Sequence, residues 1–431
     1  MTAPVAEGVS QSDSRRQRWR PFLVGGSAGL LYGYSIGVSN DAIGPIAEQY
    51  SLSALAVGMV VSSLLAGGLL GCLVAGHAVE RHGHRFVLGC AGAVAAVGVV
   101  VSALAPNVET IGIGRVILGA AVGVTTAVAP SYISELAQVG KRGIMMASYQ
   151  FAIAFGFLLS LSAGALLSFG HQDWRLMFAL NIIPALAQVI AMSMAPRSPY
   201  SLAAHGHAAA DRVKITLSRP LLIAIGAALI DTLVGVGAIV YYSTDVFATA
   251  GVGGRGGAEV ASLSIGVINV ISTVAAVGLL GRYGRRPLLT IGLTGIVLAL
   301  VTTGFSLLWS APGAWIVTIV AMLVFMACHA FSAGPIGWLL VAEVLPARIR
   351  ARGSAVAIGA NWSATLLVTL LFPVLVGSPG SPERAALGFF IFAVITVGFL
   401  IFVRVCVPET KGLTLAEVEA TLAGQHKKAT Q

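Results

Sequence analysis

An aspartate in the middle of an apolar run is the strongest chemical signal in this chain. Asp231 lies within Ile230–Tyr242, inside a stretch that runs from just after Pro220 to about Val246. It stands 11 residues past Pro220, roughly 16 Å along a helix. A charge at that depth in a ~30 Å hydrocarbon layer costs at least about 2.5–3.5 kcal/mol unless it faces water or a partner. Two sharp readings fit such a carboxylate: a proton carrier, or a countercharge for a cationic or amino-bearing small molecule. The bland reading is a buried acid satisfied by local hydroxyls. His329, near mid-depth in a later run, is a second titratable candidate, although a hydrogen-bonded core histidine explains it as well. Gln150, Thr232, Tyr241, Asn269 and Asn361 add amides and hydroxyls, and Trp338 adds a flat apolar face. That mixture suits a small polyhydroxylated ring. Singly, each is also explained as glue between helices.

The background is that of a membrane protein. Of 431 residues, 57% are hydrophobic, 10% are charged and 52 are glycine. A soluble domain averages about 25% charged residues. Cys72, Cys90, Cys328 and Cys406 all lie in or at the ends of apolar runs, with no metal-ligand spacing and no disulfide framework. No nucleophile–base pair, phosphate loop or metal cluster is visible, so the sequence predicts neither an enzyme nor a cofactor or metal site. The first apolar segment, 21–46, is too long for the core of a cleavable signal peptide.

Twelve segments of spanning length follow, near 21–46, 54–79, 86–105, 110–134, 143–170, 175–195, 220–247, 258–280, 288–309, 313–342, 354–377 and 385–407. The spacing predicts an N-terminal tail (1–20), a six-helix bundle (21–196), a short linker (197–218), a second six-helix bundle (219–407) and a C-terminal tail (408–431). Within the last, Leu413–Leu422 reads as a short amphipathic helix. Of the 26 Lys and Arg residues, 22 fall in one set of loops, which places both termini and the linker in the cytoplasm. The net charge of +9 is thus accounted for by a membrane rather than by nucleic acid.

The halves repeat. Glu80–Arg81–His82–Gly83–His84–Arg85 recurs as Gly281–Arg282–Tyr283–Gly284–Arg285–Arg286, offset by 201. Glu135 with Arg142 recurs as Glu343 with Arg350, offset by 208. Parallel duplication predicts an all-α fold of two bundles related by a pseudo-two-fold axis, which rock about a midplane site. Glu80, Arg81, Arg85, Glu135, Arg142, Arg285, Arg286, Glu343 and Arg350 are candidates for salt-bridge gates on the basic side. Gly334, Pro335 and Gly337 predict a helix break beside Trp338.

Read together, these motifs resemble the sugar porter family of the major facilitator superfamily. Gly114–Arg115 with Gly119, Gly123, Pro130, Tyr132 and Glu135 is similar to its fourth-helix signature. Gln150–Ile153 with Gly156, Gly284–Leu288, Gly334–Trp338 with Glu343, Pro346 and Arg350, and Pro408–Thr414 resemble later motifs in order. The resemblance implies alternating access by a secondary active transporter in the cytoplasmic membrane, with a sugar, polyol or related small polar metabolite at the midplane and protons as the coupling partner. It implies substrate contact for Gln150, Trp338 and Asn361, surrounding lipids, and a monomer. Three departures stand out. Asp231–Thr232 replaces the usual pair of glutamines, Gly237 replaces an asparagine, and Ser35 replaces the aspartate of proton-coupled members. Arg115, at the depth of Ser35, therefore needs another anion: Asp231, Asp41, a substrate carboxylate or phosphate, or a lipid headgroup. These departures keep open efflux of a drug-like or cationic metabolite. A non-transporting sugar sensor is a third reading, disfavoured by the short C-terminal tail.

Overall fold

The computed structural model describes residues 11–136, 142–169, 173–196, 218–253, 255–309, 311–346, 349–376, 381–413, 417–418 and 421. For 11–21, 134, 142–144, 255 and 350–352 it describes the backbone alone. The tail residues 1–10, the linker 197–217 and most of the expected helix Leu413–Leu422 lie outside the described residues.

Among the described residues the regular structure is entirely helical. The first half comprises α1 (Gln11–Gln49), α2 (Ala54–His82), α3 (His84–Ala103), α4 (Val108–Leu136), α5 (Arg142–Ser168), α6 (Trp174–Ala179) and α7 (Ile182–Met194). The second comprises α8 (Arg219–Leu233), α9 (Val236–Thr249), α10 (Arg255–Arg282), α11 (Arg285–Leu308), α12 (Ala314–Phe331), α13 (Ala333–Val344), α14 (Arg350–Val376) and α15 (Pro382–Cys406). They form twelve membrane spans, because α6–α7, α8–α9 and α12–α13 are interrupted single crossings. Helices are the only open structure that satisfies its own backbone in hydrocarbon. Leu73, Leu166 and Val394 are among the large apolar side chains exposed on the outer faces, as a lipid-facing surface requires.

Within the first half α1 packs on α5, and α4 on α2 and α3. Gly67 of α2 and Gly119 of α4 permit close approach: a Cβ at either would stand 2.1 or 2.0 Å from a carbonyl oxygen of the facing helix. In the second half α11 packs on α12 and α15, and α8 on α13 and α14. Between halves, α2 meets α14 and α5 meets α10. The second span of each half thus meets the fifth span of the other. This reciprocal contact is what a pseudo-two-fold axis produces.

The face at which α1 begins and α15 ends is termed the tail side. The two halves touch on the far side: a Cβ at Gly58 would meet the Leu370 carbonyl at 2.3 Å, and one at Gly266 would meet Leu158 at 3.0 Å. On the tail side Phe22, Ser148 and Phe151 face Thr273 and Val277 across a cleft of about 450 Å³. The α1–α5 face and α10 are thus separated at this groove on the tail side.

The break in the tenth span falls earlier than the sequence places it. Helix α12 stops at Phe331 and Ser332 is non-helical, whereas Gly334, Pro335 and Gly337 lie in the first turns of α13. The reason is steric: a proline ring collides with the carbonyl four residues before it, which for Pro335 is that of Phe331. A second interruption, unexpected from sequence, divides the seventh span at Val234–Gly235, where Gly235 has φ +96°.

Candidate functional site

The broken seventh and tenth spans bring two titratable side chains together. Asp231 sits in the last turn of α8 and His329 in the last turn of α12. His329 Nε2 lies 3.0 Å from Asp231 Oδ1 and 3.3 Å from the Asp231 main-chain oxygen. The main-chain oxygen can only accept, so Nε2 is the protonated nitrogen. The Asp231 carbonyl can take this bond because the chain turns at Gly235, whose N–H bonds Thr232 O instead. Two helix C-termini, each partly negative, thus converge on the pair. Phe325 stacks on the imidazole with ring centres 6.2 Å apart.

One turn away lies a hydroxyl–amide triad. Asn361 Nδ2 donates to Ala228 O at 2.7 Å and to Thr232 Oγ1 at 2.9 Å, and Thr232 Oγ1 is 2.7 Å from Thr365 Oγ1. Thr365 is the member that the sequence did not single out; its spacing of four from Asn361 is the available signal. Trp338 is 37% exposed, and Gln150 and Asn269 are half-buried with no hydrogen bond among the described residues. Asn269 lies four residues deeper than Thr273, and Gln150 three deeper than Ala147, on the helix faces that line the tail-side cleft. Tyr241 is buried, within electrostatic reach of both Asp231 and Arg115. Tyr32 and Trp362 face each other across the two halves at 6.5 Å.

Arg115 is 1% exposed and has no carboxylate partner among the described residues. Its Nε donates to Val60 O at 2.8 Å, and its Nη2 to Ser39 Oγ at 2.7 Å and Val61 O at 3.1 Å. The Phe178 ring lies 5.6 Å from the guanidinium carbon. The expected acids, Asp231 and Asp41, bond elsewhere. Helix carbonyls have a second lone pair, and two of them take the place of the side-chain anion expected from the sequence. Ser35 does not meet Arg115: its hydroxyl donates to Leu31 O at 2.6 Å and accepts from Asn181 Nδ2 at 3.0 Å.

The tail side has two clusters related by the duplication. In the first half His84 Nδ1 stands 3.5 Å from Glu135 Oε2, with its ring stacked on Tyr132 at 5.5 Å. Arg85 caps α7, donating to Met192 O at 2.9 Å and Ser193 O at 2.7 Å. In the second half Arg285 Nη2 donates to Glu343 Oε1 at 3.1 Å, and Thr410 Oγ1 donates to Glu343 Oε2 at 2.5 Å. Arg286 caps α15 through the Arg404 carbonyl. Glu409 receives the main-chain N–H of Arg285 at 3.0 Å and of Arg286 at 3.1 Å, closing the N-terminus of α11. Burial alone would raise its carboxyl pKa, but the N–H groups of Lys411, Arg285, Arg286 and Thr410 outweigh this and hold it below the ordinary value. Glu80 and Arg81 make no ion pair among the described residues, and the side chains of Arg142 and Arg350 lie outside the description.

Twelve spans in two reciprocal halves with a polar site at mid-depth define a multi-pass membrane transporter of the two-bundle type. A family pattern described as "Sugar (and other) transporter" matches residues 22–218 and 211–422. The "D-xylose-proton symporter-like 2" of Arabidopsis thaliana is 34% identical, over 93% of this chain and 90% of the relative. The "Arabinose-proton symporter" of Bacillus subtilis is 31% identical, over 91% and 92%. The inward-open xylose transporter XylE from E. coli superposes with a TM-score of 0.80 at 28% identity, covering 93% of this chain and 98% of that one. The chain belongs to the sugar porter family of the major facilitator superfamily. It is a secondary active transporter and not an enzyme.

Proposed function

We propose that the protein carries a pentose-like sugar or a cyclic polyol with a proton across the cytoplasmic membrane, and that the tail side is cytoplasmic. The observation that carries this reading is the Asp231–His329 pair, set beside an amide, hydroxyl and indole lining at mid-depth. In it Gln150, Thr232, Tyr241, Asn269, Asn361 and Thr365 bind hydroxyls, and Trp338 covers the ring face. One proton taken up by the pair leaves either a neutral acid beside a neutral imidazole or a compensated carboxylate–imidazolium pair. Release lets the two half-helix ends repel and part. Arg115 and Ser35 shape the helix-one side of the site without carrying the proton. The tail-side clusters at Glu135 and Glu343 hold each bundle's basic loops together as it rocks, and Gly334, Pro335 and Gly337 seat the moving half-helix. The bundles are taken as 21–196 and 219–407, joined by 197–218 and flanked by the tails 1–20 and 408–431. The protein works as a monomer among lipids. Efflux of a cation would need Asp231 as an open countercharge, and here His329 occupies it.

The test is uptake into proteoliposomes with labelled xylose, arabinose and myo-inositol, with and without a pH gradient. Asp231→Asn is expected to abolish gradient-driven accumulation while sparing counterflow exchange. Accumulation that survives would remove the proton from this pair, and extrusion of a lipophilic cation without sugar competition would end the sugar reading.

A further inference from the structure

A second acid is buried at the far-side seam between the two bundles. Asp41 of α1 is 3% exposed, and Glu259 of α10 is 2% exposed. Asp41 Oδ1 accepts from Thr244 Oγ1 at 2.9 Å and from Asn40 Nδ2 at 3.4 Å. Asn40 Nδ2 also donates to Thr244 Oγ1 at 3.1 Å, and Ser243 Oγ donates to Asn40 Oδ1 at 3.2 Å. Ser262 Oγ of α10 lies 2.9 Å from Thr244 Oγ1 and 3.1 Å from Ser243 Oγ. Every one of these bonds involving α1 joins it to the other bundle, apart from the Asn40–Asp41 contact. Asp41 Oδ2 has no hydrogen-bond partner and is pressed against α5, where a Cβ on Gly164 would stand 2.0 Å from it.

The charged and titratable groups that face Asp41 are Tyr34 on its own helix, Asp245 on α9 and Glu259 on α10. Helix α5 offers only the bare backbone at Gly164. Among the described residues no cation bonds Asp41. A charge spread onto a buried oxygen with no hydrogen bond is a costly occupant of this seat, and a neutral carboxyl avoids that cost.

We propose that Asp41 is a second proton-binding site, distinct from the Asp231–His329 pair, and that the far side of the transporter closes only when Asp41 is protonated. When the far side opens, α1 parts from α9 and α10 and Asp41 meets water, where it ionises. A proton from that side then licenses closure. If the tail side is cytoplasmic, as proposed above, the latch reads external acidity. It gates closure and leaves the transfer of the coupled proton to the midplane pair.

The test uses full-length protein in nanodiscs, with its four cysteines replaced and spin labels at Glu109 and Glu383, exposed far-side positions on opposite bundles. Pulsed electron–electron distances then report far-side opening without any transport. In otherwise unaltered protein, the open-to-closed ratio should rise about tenfold per pH unit above the midpoint, as a one-proton latch requires. Asp41→Asn should hold the far side closed at every pH. Gly164→Ala, whose methyl displaces the carboxyl from its seat, should hold it open at every pH, so the idea does not hang on one variant. The proposal is overturned if both variants keep the original pH dependence, or if Glu259→Gln abolishes it while Asp41→Asn does not. Because opening is read apart from uptake, these outcomes are independent of whether Asp231 carries the coupled proton.

Discussion

The two tail-side clusters share one plan and differ in one choice. Arg85 and Arg286 correspond under the duplication, and each caps the final helix of its own half, α7 or α15. His84 and Arg285 correspond as well, and each faces the glutamate that ends the fourth span of its half. Where one half uses histidine the other uses arginine. An imidazole has an ordinary pKa near 6.5 and a guanidinium never loses its proton, so the first contact is conditional and the second permanent. The second half adds Thr410 and Glu409 from the chain beyond the last span, so three separate segments meet there. Duplication thus preserved the helix caps, which backbone geometry demands, and let the charge chemistry diverge.

That contrast can be broken by experiment. Glu343→Gln leaves a part-buried guanidinium without its carboxylate, a loss of about 1.5–3 kcal/mol. The maximal uptake rate should fall roughly ten- to a hundredfold, against less than about threefold for Glu135→Gln. Equal losses would mean that the two contacts are equivalent and that His84 is permanently charged. Next in size, Arg285→His should import the first half's behaviour: uptake becomes sensitive to tail-side pH, declining about three- to tenfold as pH rises through 6.5. A flat profile would detach the arginine from the pH contrast. Glu409→Gln removes the cap of α11, at about 1 kcal/mol, and should lower the melting temperature by a few degrees. Its carboxyl is held below its unfolded value, so the stabilisation is present above that value. The difference from Glu409→Gln should be full at neutral pH and vanish as pH falls below about 4. The smallest effect is expected from His84→Arg, which should flatten any tail-side pH response below about 6.5 with little change in rate.

The twelve spans and their duplication are legible in the sequence because hydropathy and charge act locally, residue by residue. Asp231 and Thr232 are legible as site candidates for the same reason: a polar group in an apolar run announces itself. Their partners are not. His329 lies 98 residues from Asp231, and their meeting depends on the rotation of two half-helices. That rotation depends in turn on Gly235, and a glycine in an apolar run reads equally well as a packing residue. Two of the acceptors around Arg115 are helix carbonyls, present at every position and so invisible in a sequence that shows only side chains. The break near Pro335 is legible to within one turn, because the proline acts on the residue four before it.

Gly235 also limits how this transporter can be redesigned. A side chain there would be strained at φ +96°, and its Cβ would fall 2.8 Å from the Phe392 ring. Libraries that randomise Asp231, Thr232 and Thr365 can explore new cargo while this codon stays fixed. Any library that includes it should lose most of its folded members at that one position, whatever the ligand selected for.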